Sequence, residues 1–247
     1  LLDRVASGIE LTESGQRLYD YANTVLSEYD KLKKEIDMIR ASEEGTVELL
    51  VAYDILRYLT PDCILEFQKK YPNVTFSYME YPDRIVEKML LDKEGNVALS
   101  IGPFAGDCFD MKSLKKCSLG LLVYEEHSLA KKREATILDL EGEPLYLENS
   151  SFKLNEFIQS RCWNRGFEPD IVFETNGFDL CYKMCRLKRG ISVTIDFVHE
   201  DMNTEGLVMI PFAEDDMIWE IGLLTLKDRA MESSVEKFYK YIENYNN

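Results

Sequence analysis

The chain has 247 residues, 45% apolar and 30% charged, ordinary proportions for a globular protein and enough length to bury a large core. Twenty-nine Lys and Arg stand against 45 Asp and Glu, a formal net charge of -16. A body this acidic is repelled by a phosphate backbone, so nucleic-acid contact has to come from a small basic element. No apolar run of about eighteen residues and no secretion leader can be read, so no membrane helix is expected and the expected location is the cytoplasm.

The opening stretch, Leu1 to Gly15, has no room to begin a domain. It reads as a short basic turn, a strand-like Ile9-Glu10-Leu11 and a helix cap at Thr12. The front of this first module is therefore expected to lie upstream. Residues 13 to about 42 are predicted to form one helix. Within it Leu18, Ala22, Val25, Leu26, Tyr29, Leu32, Ile36 and Ile39 recur at spacings of three and four. A helix of about thirty residues is about 45 Å long, and so narrow an apolar stripe needs a partner. The predicted partner is a second copy of the same helix, in a dimer seam of Leu18, Ala22, Val25, Tyr29, Leu32, Ile36 and Ile39.

From Thr46 the period shortens. Strands are predicted at 46–52, 74–78 and 97–101, with helices at 59–70 and 84–91 between them. The pattern then restarts, with strands at 118–124, 144–147, 170–174 and 190–195. A short edge strand is predicted at 207–210 and a long strand at 218–226. Helices are predicted at 155–165, 178–188 and 233–245. Two such βα series predict an α/β fold of two Rossmann-like lobes with mainly parallel sheets behind the long N-terminal helix. Lobe I takes about 45–115 and 221–247, lobe II about 116–220, and the chain crosses between them twice.

A cleft at the carboxyl ends of parallel strands is the physical default for a small-ligand site. Tyr53, Asp54 and Ile55 follow the first strand, Asp83 the second, and Gly102 and Pro103 the third. In the second lobe Asn149, Ser150, Ser151 and Phe152 precede a helix, where hydroxyls and free backbone N–H groups can hold a polar group. Thr194, Ile195 and Asp196 end the last parallel strand. These five stretches are predicted to converge.

No nucleotide-binding glycine motif, nucleophile elbow or metalloprotease motif is present, so no enzyme activity, cofactor or metal is expected. Cys181 and Cys185, four apart on one helix face, are expected to be a buried and inert pair rather than a redox pair. His199-Glu200-Asp201 is expected on a polar loop as a solvated cluster.

Taken together these residues resemble a LysR-type transcriptional regulator. Leu2-Asp3-Arg4 followed by Gly8-Ile9-Glu10-Leu11-Thr12-Glu13-Ser14-Gly15 is similar to that family's junction between the wing of its winged helix-turn-helix and its linker helix. Gly45-Thr46-Val47, then Pro61, Phe67, Tyr71-Pro72 and Val74, resemble the start of its effector-binding domain. Gly95-Asn96-Val97-Ala98-Leu99 resembles its Gly-x-Leu-Asp-x-Ala-Ile, with the usual Asp missing, and Arg189-Gly190-Ile191 resembles its second-lobe Gly-Ile. The resemblance covers the whole chain and implies a type 2 periplasmic-binding-protein-like fold. It also implies a homodimer or tetramer, promoter DNA as partner of the full-length protein, and a small-molecule effector between the lobes. Arg4 would be a phosphate contact, which positions but reads no bases, so this chain alone is expected to bind DNA poorly. A periplasmic-type solute receptor shares the cleft but gives no reason for the junction or the striped helix.

One departure bears on the ligand. Members that bind small carboxylates carry Ser or Thr at the loop positions resembling Asp54 and Asp83, so an amine-bearing effector would suit this chain better. The competing expectation is that these acids face solvent at the cleft rim or pair with Arg57 and Arg84.

Overall fold

The structure, a computed structural model, describes residues 1–5, 8–42, 45–104, 106–227 and 229–245. The chain divides into two compact units, Leu1–Glu44 and Gly45–Asn247.

The first unit starts as a hairpin. Strand β1 (Leu2–Val5) pairs antiparallel with β2 (Gly8–Leu11), with Leu2 opposite Leu11 and Val5 opposite Gly8. The sequence reading found only the second of these strands. Thr12 then caps α1 (Glu13–Ser42): its Oγ1 accepts the Gly15 N–H at 3.0 Å and its carbonyl accepts the Gln16 N–H at 2.8 Å. A Cβ at Gly15 would lie 2.0 Å from the Leu1 carbonyl oxygen, so only glycine lets the hairpin close on the first helical turn. Along α1 the stripe residues Leu18, Ala22, Val25, Tyr29 and Leu32 are all exposed. The side chains of Arg4, Ile36 and Ile39 lie outside the described residues.

The second unit runs β3 (Thr46–Ala52), α2 (Leu56–Lys70), β4 (Thr75–Tyr81), α3 (Asp83–Leu91), β5 (Val97–Ile101), β6 (Phe109–Tyr124) and β7 (Pro144–Glu148). It continues through α4 (Lys153–Asn164), β8 (Asp170–Thr175), α5 (Phe178–Arg186), β9 (Ile191–Ile195), α6 (Asp196–Asp201), β10 (Leu207–Pro211), β11 (Ile218–Leu226) and α7 (Ser233–Tyr245). The strand order is β4-β3-β5-β11-β6-β9-β7-β8, with β10 on β6. β3, β4 and β5 are mutually parallel, as are β7, β8 and β9. The two parallel groups, one per lobe, are joined by antiparallel pairing of β11 and β6.

β6 is longer than the predicted strand at 118–124. Its first half pairs with β11 and its second half with β9 and β10, so one strand serves both lobes. Ile221 lies opposite Lys115 and Gly222 opposite Ser113, leaving Leu114 as an extra residue. That bulge breaks the period-two alternation by which a strand is read from sequence. Thr60, at φ 54°, kinks α2 just before Pro61, and the helix restarts with the proline in its first turn, where its missing N–H costs nothing. Gly95 packs under Leu50, where a Cβ would come within 2.7 Å of Leu50 Cγ. Asn96 donates to the Thr46 carbonyl at 2.9 Å and accepts the Glu48 N–H at 2.8 Å, which ties the turn before β5 to β3.

In lobe I an aromatic cluster closes the core. The Phe67 ring centroid lies 4.9 Å from Tyr71, 5.0 Å from Phe238 and 5.4 Å from Tyr241, and Phe67 is fully buried. Phe67→Ala should therefore cost about 3–5 kcal/mol, the range for emptying a buried aromatic site. A denaturant titration that finds less than about 1 kcal/mol would show that the cluster does not hold α2 to α7.

Candidate functional site

The carboxyl ends of β3, β5, β7 and β9 point into the space between the lobes. A small enclosed pocket of about 20 Å³ lies there, walled by Tyr53, Ile55, Asp83 and Ile101 from lobe I and by Glu148, Phe152, Leu154, Phe178, Ile195 and Phe197 from lobe II. Trp219, on the crossing strand β11, completes the wall. It has room for about one water. Tyr53 and Phe152 face each other across the lobes with ring centroids 6.1 Å apart.

Of the sequence candidates, the structure brings Tyr53, Ile55, Asp83, Phe152 and Ile195 to this pocket. Asp54 lines a neighbouring recess with Arg57, Glu80, Asp179 and Asp201. Pro103 lines a separate groove beside Phe104 and Phe109, and the Gly102 N–H is taken by the Glu220 carbonyl at 2.7 Å. Ser150 is exposed on the turn before α4. Thr194 is buried, and its Oγ1 lies 2.9 Å from the Tyr182 hydroxyl.

Three of the backbone N–H groups expected to be free at the start of α4 are occupied. Asn149 accepts the Ser151 N–H through Oδ1 at 2.8 Å and the Phe152 N–H through its carbonyl at 3.0 Å. The Lys153 N–H goes to Asp83 Oδ1 of the facing lobe at 3.0 Å. A sharp turn closed by asparagine satisfies its own donors, which the sequence reading overlooked.

The acids behave differently from one another. Asp54, at φ 69°, pairs with Arg57 at 2.5 Å, and Arg57 also reaches Asp179 at 2.8 Å and Asp201 at 2.6 Å in lobe II. The competing expectation of an Arg57 pairing thus holds for Asp54. Asp196 is locked by the Ser118 N–H at 2.8 Å and its own helix's Phe197 N–H at 2.6 Å, so it is no free acid at the cleft. Arg84 pairs with Glu156 and not with Asp83. Asp83 instead meets Lys153, whose Nζ contacts Glu87 and donates to the Ile101 carbonyl at 2.7 Å.

Glu148 was not a sequence candidate. It ends β7, is only 4% exposed, and its Oε1 has no hydrogen-bond partner among the described residues. Burial pushes its carboxyl well above the usual range, and Asp54 and Asp83 push in the same direction. The available signal was a lone acid closing the apolar run Leu145-Tyr146-Leu147, at the end of a strand aimed at the cleft. Trp219 Nε1 is likewise buried without a partner among the described residues.

Two further expectations are settled here. Cys181 and Cys185 are buried, and burial raises the Cys181 thiol to about 11 and the Cys185 thiol further, so neither is a ready thiolate. His199 lies on α6 rather than on a polar loop, with Nδ1 3.0 Å from the Tyr182 hydroxyl, because the apolar pair Phe197-Val198 folds this short turn onto the sheet.

Comparison with known proteins identifies the lineage. A family model described as the LysR substrate binding domain matches residues 40–246. The chain belongs to the LysR family. Among LysR-type relatives, the Transcriptional dual regulator GltC of Bacillus subtilis is 23% identical over 244 residues, covering 98% of this chain and 81% of GltC. An uncharacterized HTH-type transcriptional regulator of the same organism, YwbI, is 25% identical over 185 residues, covering 75% of this chain and 62% of its own length. The chain thus spans somewhat under two thirds of that relative. Among solved LysR structures, an effector-binding domain of a BenM variant superposes with a TM-score of 0.71 at 18% identity, covering 82% of this chain and 94% of that one. The effector-binding domain of QuiR in complex with shikimate gives 0.70 at 17%, covering 83% and 98%. A full-length BenM mutant gives 0.68 at 21%, covering 98% of this chain and 80% of that one. These likenesses establish the two-lobed α/β fold.

Asp83 makes a pH prediction. Burial pushes its carboxyl from an ordinary 3.8 up to about 6, with Lys153 opposing. The folded form keeps this proton up to about 6, whereas the unfolded chain releases it near 3.8. Stability from this group is therefore full below about pH 4 and falls by about 3 kcal/mol as pH rises through 6. Asp83→Asn keeps the acceptor for the Lys153 N–H and should flatten that slope in thermal melts from pH 4 to 7. An unchanged slope would place the titration elsewhere.

Proposed function

We propose that this chain is the linker helix and sensing domain of an effector-responsive, DNA-binding transcriptional regulator of the cytoplasm. In the full-length protein its partner is promoter DNA, and Arg4 is proposed as a backbone contact. The observation that carries the sensing role is the enclosed pocket between two lobes, at the carboxyl ends of β3, β5, β7 and β9, with two buried polar atoms on its lining residues, Glu148 Oε1 and Trp219 Nε1, that have no partner among the described residues. Polar groups buried without partners are costly, so a ligand that pairs them is stabilised. We place the lobes at about 45–115 with 221–247 and at about 116–220, and the effector contacts at Tyr53, Ile55, Asp83, Phe152 and Ile195, with Glu148 added. BenM is solved with its effector benzoate and QuiR with shikimate, which makes the cleft of this chain the place to look for its own ligand. Ile195→Trp, which fills the pocket, should abolish the effector response of the full-length regulator while leaving promoter binding intact. A footprint that still shifts with effector in that variant would remove the pocket from the mechanism.

Assembly is proposed to run through α1. Its 30 residues carry Leu18, Val25, Tyr29 and Leu32 at exposures of 54–64%, a stripe that a second copy would cover. Light scattering at micromolar concentration should give the mass of a homodimer, or of a tetramer built from it, and Leu32→Glu should lower it to one copy. A parent chain that is already a single copy would rule out the seam.

A further inference from the structure

The pocket has a chemical sign. Its wall holds two acids, Asp83 and Glu148, and, among the described residues, no cation; Asp54 and Arg57 line the neighbouring recess, and Glu87 and Lys153 the groove beside Phe104. Both cations are already shared. Arg57 divides itself among Asp54, Asp179 and Asp201. Lys153 serves Glu87 and the Ile101 carbonyl through its ammonium, and Asp83 through its backbone N–H. No cation among the described residues is left for Glu148.

The place where an anion would ordinarily bind is also taken. A helix N-terminus offers free N–H groups to a carboxylate or phosphate. At α4 the N–H groups of Ser151, Phe152 and Lys153 are held by Asn149, Asn149 again and Asp83. An incoming carboxylate would find those three donors taken and would meet the Asp83 carboxylate in a site walled off from water, where like charges repel strongly. An ammonium group would find the reverse. The aromatic faces that line the pocket attract a cation, most strongly when it is desolvated.

We propose that this pocket takes the ammonium head of a small ligand, a group about the size of the one water it has room for, seated on the Glu148 carboxylate among Tyr53, Phe152, Phe178, Phe197 and Trp219, with the lobes parting to admit the rest of the ligand. The proposal rests on the reading of this cleft as the effector site and adds the ligand's class. Trp219 Nε1, the unpaired donor, suits an acceptor oxygen elsewhere on the same ligand. Proton balance follows directly. Burial raises the Glu148 carboxyl, and Asp54 and Asp83 push the same way, which favours its neutral form. When the ammonium arrives as a cation, the Glu148 proton leaves to solvent and the carboxylate remains as its counter-ion.

The test uses two matched probes, propylammonium and propionate, on the 247-residue chain carrying Trp163→Phe. Trp163 is exposed and is the only other tryptophan, so the remaining emission reports Trp219. Propylammonium should change that emission at concentrations up to about 10 mM. Its calorimetric heat should differ between buffers of different ionisation enthalpy, as release of a proton requires. Glu148→Gln, close to isosteric, should weaken it by about tenfold or more and abolish the buffer dependence. A thermal melt of the variant establishes that it is folded, and Glu148→Asp should retain the proton release. If propionate changes Trp219 emission and propylammonium does not, the ligand class is overturned while the effector reading stands. If propylammonium binds with the same affinity and no proton release in Glu148→Gln, the seat on Glu148 is overturned. If neither probe changes the emission, the class and the small-ligand reading of this pocket fall together.

Discussion

The contact on which the site depends is the one between Asp83 and the start of α4. Asp83 opens α3 in lobe I, yet its carboxylate accepts the backbone N–H of Lys153, the first residue of α4 in lobe II. Lys153 returns the contact by sending its ammonium back to Glu87 and to the end of β5. Each lobe thus supplies what the other's buried polar groups lack. A buried carboxylate without donors and a buried ammonium without acceptors would each cost several kcal/mol, so the pair is stable only while the lobes are together. Closing them is what encloses the pocket and strips water from Glu148.

The opposite rim is held by a different device. Arg57 reaches from α2 to Asp179 on α5 and Asp201 at the end of α6, both partly or largely solvent-exposed. Exposed ion pairs are worth little individually and are screened by salt. The Arg57 rim is therefore the soft edge of the cleft, and the buried Lys153 side is the stiff one. Between them β6 and β11 run continuously through both lobes, and the bulge at Leu114 sits where they cross. A strand pair interrupted by a bulge can bend there without losing the ladder on either side.

Much of this was legible in the sequence. Every parallel strand and the 30-residue helix were marked by periodicity and by punctuation such as Tyr71-Pro72-Asn73 and Gly95-Asn96. Strand ends pointed to the cleft, and Tyr53, Ile55, Asp83, Phe152 and Ile195 do gather there. What could not be read has physical causes. The first half of β6 was hidden by alternation broken at its bulge. β1 was hidden because a four-residue strand with Asp3 and Arg4 at its centre carries no apolar period. The fate of the acids was beyond sequence altogether. Asp54, Asp83 and Asp196 look alike in a list of loop residues, but one pairs with Arg57 three residues on, one crosses to the other lobe, and one accepts backbone N–H groups from β6 and from its own helix.

Glu148 shows why that distinction matters for function. Of the expected polar features of the cleft, three N–H groups at the start of α4, Asp54, Asp83 and Asp196 are taken up by the protein's own hydrogen bonds. What a ligand meets is set by what remains unpaired, and a satisfied group contributes shape but no net attraction. By that criterion the groups proposed to recognise a ligand in this cleft reduce to the Glu148 carboxyl, the Trp219 indole N–H and the aromatic side chains of the wall. Such a site discriminates by charge before it discriminates by shape. A wrong sign costs desolvation that no contact returns, whereas an extra methylene in an apolar wall costs only about 1–3 kcal/mol. In the proposed binding mode selectivity is therefore concentrated in Glu148, whose Oε1 has no hydrogen-bond partner among the described residues, and whose carboxyl changes state when the ammonium binds.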